Sequence, residues 1–343
     1  MTGVQSVSVG SDEGDQRLDR WLKRRFPALT QGRIEKGCRK GEFRLDGARV
    51  KPSDRVEPGQ VVRVPPFDQT LSRPKAAATD AQPSPADASA IQDTVIYRDD
   101  WLIALNKPPG LAVQGGSGQS RHVDGLAEAL RFGAPDRPRL VHRLDKDTSG
   151  VLLLGRSAAA ARALTAAFRT RDTRKIYWAA VAGNPRPAMG SIRYGLVKSG
   201  GEAERMRIVH PDAVEATPGA KRALTDYATL ATLAGRAAWV ALVPVTGRTH
   251  QLRAHMAALG TPILGDGKYA GMGQDNPGDG WGAGMGGVSR KLHLHARSLT
   301  LTHPGSGARL TLTAPLPAHM SRTWSMFEWA EGDVPADPFD EMP

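Results

Sequence analysis

The run His142-Arg143-Leu144-Asp145-Lys146-Asp147-Thr148-Ser149-Gly150 leads directly into Val151-Leu152-Leu153-Leu154. Crowded charge gives way to an apolar block of strand length. A polar cluster at the edge of a buried strand is a common seat for binding and catalytic side chains. Composition alone favours a plainer reading, a salt-bridged turn. Apolar blocks of the same kind recur at 102–105, 178–181 and 239–243, and helical patterns lie between them at 158–170 and 250–259. Strands interspersed with helices predict a sheet domain of the α/β or α+β class.

Upstream, residues 15–65 read as a separate small unit. Leu18, Trp21, Leu22 and Phe26 recur at helical spacing. Thr30 is a candidate N-cap for a second helix carrying Ile34, and Gly41 stops that helix. Residues 43–47 read as a strand and turn, and 61–64 as a closing strand. Residues 66–92 are rich in Ala, Pro, Ser and Asp and predict a flexible linker. The main domain then runs over 93–325. Within it, the glycine-rich stretch 265–287 reads as a long surface loop. Residues 326–343 form a tail with six acids and no base.

The 343 residues carry a formal charge of +11. The surplus is uneven. Arg33, Lys36, Arg39, Lys40, Arg44, Arg49 and Lys51 face three acids over 33–51. Such a face suits a phosphate backbone, whose counterions it releases. Anionic lipid is disfavoured, because no amphipathic anchor accompanies the charge. No apolar run approaches the roughly 20 residues that cross a bilayer, and the first ten residues lack the order of a secretory signal. The expected compartment is the cytoplasm. The lone Cys38 excludes an internal disulfide. Its basic neighbours would lower its pKa, and its plainer reading is a structural thiol.

Three further runs carry chemistry-bearing residues. In Gly247-Arg248-Thr249-His250-Gln251-Leu252-Arg253-Ala254-His255 the histidines lack HExxH spacing, and no cysteine lies near, which argues against zinc. Asn106-Lys107-Pro108-Pro109-Gly110 precedes Gly115-Gly116-Ser117-Gly118, a rigid turn followed by a loop. The GxGxxG spacing of a dinucleotide site is absent. Arg174-Lys175-Ile176-Tyr177-Trp178 puts a tyrosine at the start of an apolar strand, and a core or edge aromatic is its plainer reading.

Taken together, HRLDKDTSG at 142–150, KIYWA at 175–179, GRTHQLRAH at 247–255 and NKPPGLAV at 106–113 resemble the RluA/RluC/RluD branch of pseudouridine synthases. RLDRWL at 17–22 and RKGEFRLDGARVKP at 39–52 resemble the S4 RNA-binding module that precedes many members. Lys40-Gly41-Glu42 and Val64-Pro65-Pro66 look closest to the RluC type. The resemblance implies an α+β fold: a mixed, largely antiparallel sheet in the catalytic domain, behind a small S4-like (αL) domain. It implies isomerisation of uridine to pseudouridine, with large-subunit (23S) ribosomal RNA as substrate. Transfer RNA is the alternative substrate, and a non-catalytic RNA-binding or ribosome-assembly factor the alternative class.

By the same resemblance Asp145 matches the catalytic aspartate. Tyr177 matches the tyrosine that packs on the flipped uracil and serves as a candidate base. Arg253 matches the cation paired with the aspartate, with Arg248 as second candidate. Arg143 matches the arginine that enters the RNA as the base leaves its stack. Further RNA contacts are expected from His142, His250 and Lys107 in the same motifs, and from Arg33, Arg39 and Lys40 in the basic module. The reaction moves the ribose from N1 to C5 without redox change, so no cofactor and no metal is expected. A stacked uridine is inaccessible and must be flipped out. RNA is the expected partner of a monomer, with no protein partner and no membrane.

Overall fold

The computed structural model describes residues 3–10, 13–67, 83–115, 121–168, 170, 173–199, 205–269 and 287–339. The chain divides into two compact units, Met1–Ala81 and Gln82–Pro343.

In the first unit β1 (Gln5–Ser8) and β2 (Gln16–Arg17) precede the helices α1 (Leu18–Arg25) and α2 (Gln31–Lys40). The short strands β3 (Arg44–Leu45), β4 (Ala48–Arg49) and β5 (Arg55–Val56) follow, then β6 (Val61–Val64). The sheet order is β1-β6-β3-β4, and β2 pairs with β5. Thr30 caps α2 by accepting a hydrogen bond from the Arg33 amide, and Gly41 ends it in the left-handed region at φ 72°. Leu18, Trp21 and Leu22 from α1 and Ile34 from α2 pack with Phe43, Val56 and Val62 into one core. Cys38 lies in that core, where burial pushes its thiol up to about 11. The expected acidification by its basic neighbours is reversed by desolvation.

The second unit opens with α3 (Pro85–Gln92), β7 (Val95–Arg98) and β8 (Leu102–Lys107). It continues through α4 (Val123–Leu126), β9 (Arg139–Leu140), β10 (Ser149–Gly155) and α5 (Ala158–Ala167). Five strands come next: β11 (Arg174–Ala182), β12 (Met189–Lys198), β13 (Met206–Val209), β14 (Lys221–Leu233) and β15 (Ala237–Pro244). After α6 (Gln251–Ala258), β16 (Leu294–Thr302) and β17 (Arg309–Thr313) return to the sheet, and α7 (Ala318–Met326) closes it. Among the described residues the sheet has eleven strands, in the order β13-β12-β14-β15-β11-β16-β10-β8-β7, with β17 on β16 and β9 on β10. Every pairing is antiparallel except β10 with β16. The mixed, largely antiparallel α+β fold expected from the sequence is therefore present.

Alternation along β11 sorts the core. Ile176, Trp178, Ala180 and Ala182 face a cluster with Trp239, Trp324 and Trp329. Tyr177, Ala179 and Val181 face the opposite cluster, where α6 contributes Leu252 and Met256. Strands β10 and β15 are buried along their whole length, as befits the middle of a covered sheet.

Three expectations change. Residues 85–92, assigned to a flexible linker, form α3. Ser84 caps it by accepting from the Asp87 amide, Pro85 occupies the first turn, and Ile91 is buried in one core with Leu105, Leu126 and Leu130. Residues 68–82 of the same stretch lie outside the described residues. The acidic tail also packs. Phe327, Trp329 and Phe339 are buried, and Asp337 accepts two hydrogen bonds from Arg174 at 2.7 and 2.9 Å. Aromatic area scattered among the acids outweighs their tendency to stay in water. Lastly, Asp266 and Tyr269, at the start of the presumed surface loop, are buried, while 270–286 lie outside the described residues.

Candidate active site

The turn before β10 is fixed from below by Lys107. This lysine is fully buried, and its ammonium donates to the carbonyls of Pro108, Leu111 and Lys146 at 2.8–2.9 Å. The Gly110 amide also donates to the Lys146 carbonyl. Within the turn the Thr148 amide donates to the Asp145 carbonyl. Gly150 has φ 108°, and a Cβ there would come within 2.2 Å of the Ala296 carbonyl oxygen. Only glycine permits β10 to approach β16 this closely. The result is a rigid turn at the end of the parallel seam that presents Asp145.

The second wall comes from the segment between β15 and α6. Gln251 organises it: its amide donates to the Leu224 carbonyl and the Thr225 hydroxyl, and its carbonyl oxygen accepts from Thr246 and from the Arg248 amide. His250 then enters the helix in the left-handed region, at φ 51° and ψ 22°. Non-glycine residues occupy that region at a cost of order 1–3 kcal/mol. The strain aims its ring inward, with Nε2 3.9 Å from Asp145 Oδ2 and Nδ1 3.0 Å from the Tyr269 hydroxyl.

Arg253 follows one helical turn later and reaches the same carboxylate oxygen, with Nη1 3.8 Å from Asp145 Oδ2. Its firm partner is another acid. Nε and Nη2 donate to the two oxygens of Asp266 at 2.8 and 2.7 Å, and the guanidinium lies over the Tyr269 ring. Arg248 is exposed at the rim, where Nε donates to the Arg222 carbonyl. Arg253, and not Arg248, is the arginine beside Asp145.

Asp145, Tyr177, Arg143, Arg248, His250 and Arg253 all line one cleft of about 320 Å³. Tyr177 enters it from β11. Burial and then the Asp145 charge push the Tyr177 phenol up, so it stays protonated at neutral pH. A neutral phenol offers a stacking face and an O–H, and it is a poor base. Arg143 is exposed and makes no ion pair among the described residues.

Other expected RNA contacts fall differently. His142 lines the cleft, but burial, with Lys175 adding to it, pulls its pKa to about 3. Its Nε2 accepts from the Leu153 amide and its ring stacks on Phe168 at 4.4 Å. It is a neutral wall, not a cationic contact. Lys107 is unavailable to RNA for the reason given above: burial lowers it to about 7, and three carbonyls occupy its donors. Arg33 is committed to Glu42 and lies over Phe43. Arg39 and Lys40 are exposed on α2.

Sequence reasoning missed Asp266 and Tyr269, which grip Arg253 and His250. The available signal was an acid and an aromatic following Ile263-Leu264 inside an otherwise glycine-rich stretch. Phe168 and Lys175, on the wall beside His142, were not assigned roles either.

Comparison with known proteins gives the family. Residues 101–258 match the RNA pseudouridylate synthase family, and 16–62 match the S4 domain. The chain is 35% identical to ribosomal large subunit pseudouridine synthase C of Vibrio cholerae, over 94% of this chain and 96% of that protein. It is 36% identical to the protein of the same name from Escherichia coli K12, over 93% and 95%. Human RNA pseudouridylate synthase domain containing 4 superposes with a TM-score of 0.57 at 30% identity, over 70% of this chain and 95% of that one. With the motifs, the sheet and the cleft in agreement, the chain belongs to the RNA pseudouridylate synthase family and carries an S4 domain ahead of its synthase domain.

Proposed function

We propose that this synthase acts on uridines of large-subunit ribosomal RNA, with Asp145 as the residue that attacks the nucleoside. The observation that carries the role is the pairing in one cleft of a part-exposed carboxylate, 22% accessible, with the buried Arg253 at 3.8 Å and the Tyr177 phenol nearby. The observation that carries the substrate is the name and full-length similarity of the bacterial relatives.

The chemistry follows from those groups. The N1–C1′ bond of uridine breaks, the uracil turns, and C5 bonds to C1′. The C5 proton then leaves to solvent and N1 gains one, so the product is an isomer. Asp145 must be ionised, whether it adds to C1′ or removes the 2′ proton, and Arg253 sets a fixed positive charge 3.8 Å from its Oδ2. Tyr177 stacks on the extruded uracil, a contact worth about 1–3 kcal/mol per base. Arg143, exposed at the rim, fills the space the base leaves. Arg39 and Lys40 of the S4 domain add phosphate contacts.

Carbodiimide and primer-extension mapping of pseudouridine in cells with and without this gene tests the substrate. A signal lost only from transfer RNA would overturn the ribosomal assignment. For the role, Asp145→Asn should abolish tritium release from C5-labelled uridine while binding RNA as tightly as the wild type. A variant that keeps turnover would remove Asp145 from the chemistry.

A further inference from the structure

A fully buried lysine and a half-buried one lie near the cleft, and their surroundings are opposite. Lys107 is saturated by three carbonyl acceptors. Lys175, half-buried at the start of β11, has neither an acceptor nor a carboxylate among the described residues. Its ammonium lies 5.7 Å from the Phe168 ring centroid, and its side chain lines the same cleft as Asp145. Strand parity puts it on the face of Tyr177, two residues along, at a Cα spacing of about 6.6 Å.

We propose that Lys175, backed by the Phe168–His142 stack, is an anion subsite that takes a phosphate of the RNA strand next to the flipped uridine. The assignment rests on the synthase reading above. A desolvated ammonium without a counter-charge is unfavourable in a folded protein. Burial draws its pKa down. A phosphate entering with the substrate supplies a charge that no carboxylate among the described residues provides. The neighbours fit that purpose. His142 is neutral, so it does not compete for the anion, and Phe168 offers an aromatic face to the adjoining sugar or base. A uracil stacked on Tyr177 leaves its own backbone one phosphate step away, a reach comparable with the Cα spacing of about 6.6 Å along β11. The subsite thus converts a local instability of the free enzyme into substrate affinity.

The test uses full-length protein and the uridine-containing RNA segment identified by mapping, made with a single methylphosphonate at each linkage flanking the target. Binding of wild type, Lys175→Met and Lys175→Arg is measured against salt. Lys175→Met should flatten the log–log salt slope by about 0.7–0.9, one phosphate contact, and Lys175→Arg should restore it. One methylphosphonate should weaken wild-type binding and leave Lys175→Met binding unchanged. Lys175→Met should also melt higher than wild type without RNA, which a lysine serving only the fold would not do. Equal slopes, or an equal penalty from the neutral linkage in both proteins, would overturn the subsite while wild-type tritium release kept the synthase reading intact. Absence of release by the wild type would remove both.

Discussion

Arg253 gives its best hydrogen bonds to Asp266, at 2.7 and 2.8 Å, and stands a full ångström farther from Asp145. The buried pair is a fixed frame. It holds a cation beside the Asp145 carboxylate without locking that carboxylate into a tight salt bridge, so Asp145 stays accessible from the cleft.

Asp266→Asn should therefore cost more than a hydrogen bond. Removing one partner of a buried ion pair typically destabilises by about 3–5 kcal/mol. Urea unfolding should register that loss. At temperatures where the variant stays folded, kcat should fall at least tenfold with little change in KM. Unchanged turnover would mean that Arg253 needs no frame.

Tyr269→Phe removes one oxygen that serves two partners, the Met206 amide and His250 Nδ1. Leaving the buried amide unmet costs about 1–3 kcal/mol. The His250 ring, 3.9 Å from Asp145, loses a constraint on its orientation. Single-turnover kinetics should show a slower chemical step at unaltered RNA affinity. A change in affinity alone would contradict this positioning role.

Lys107→Met should behave as a folding variant. Three carbonyls lose a charged donor, and bonds to charged groups contribute about 1.5–3 kcal/mol each. The salt slope of RNA binding should match the wild type, because this ammonium never meets a phosphate. A slope reduced by about one would reinstate Lys107 as an RNA contact.

Acid should unfold the synthase domain early. Burial holds His142 near about 3 and His255, His293 and His295 each near about 4. In the unfolded chain a histidine titrates near about 6.5. Between those values the unfolded state binds more protons, so stability is complete above the unfolded pKa and is lost as pH falls toward the folded one. Each histidine contributes up to about 1.4 kcal/mol per pH unit. Melting temperatures measured from pH 7.5 downward should drop steeply below about 6.5, and a flat profile would refute the account.

What the sequence revealed was local. The His142–Gly150 run, Tyr177 and Arg253 are recognisable because each sits in a short motif whose residues stay adjacent in the fold. Asp266 escaped because its partner lies thirteen positions away and its neighbours read as loop. Lys107 and Lys175 are the same residue type in the same sort of motif, and only three-dimensional accounting of acceptors separates a structural lysine from an unsatisfied one. The packed tail went unseen for a similar reason: its acids dominated the composition, while Phe327, Trp329 and Phe339 do the anchoring. Ser84 and Pro85 did mark the start of α3, against a background that otherwise spelled disorder.

The clasp between Arg174 and Asp337 has a practical side. Asp337 stands 163 positions along the chain from Arg174, yet it grips the residue directly before Lys175, on the strand that also carries Tyr177. Deleting 327–339, or inserting a bulky affinity handle beside Asp337, would disturb the cleft from its back wall. Such a protein would retain every recognisable motif and still be a defective enzyme.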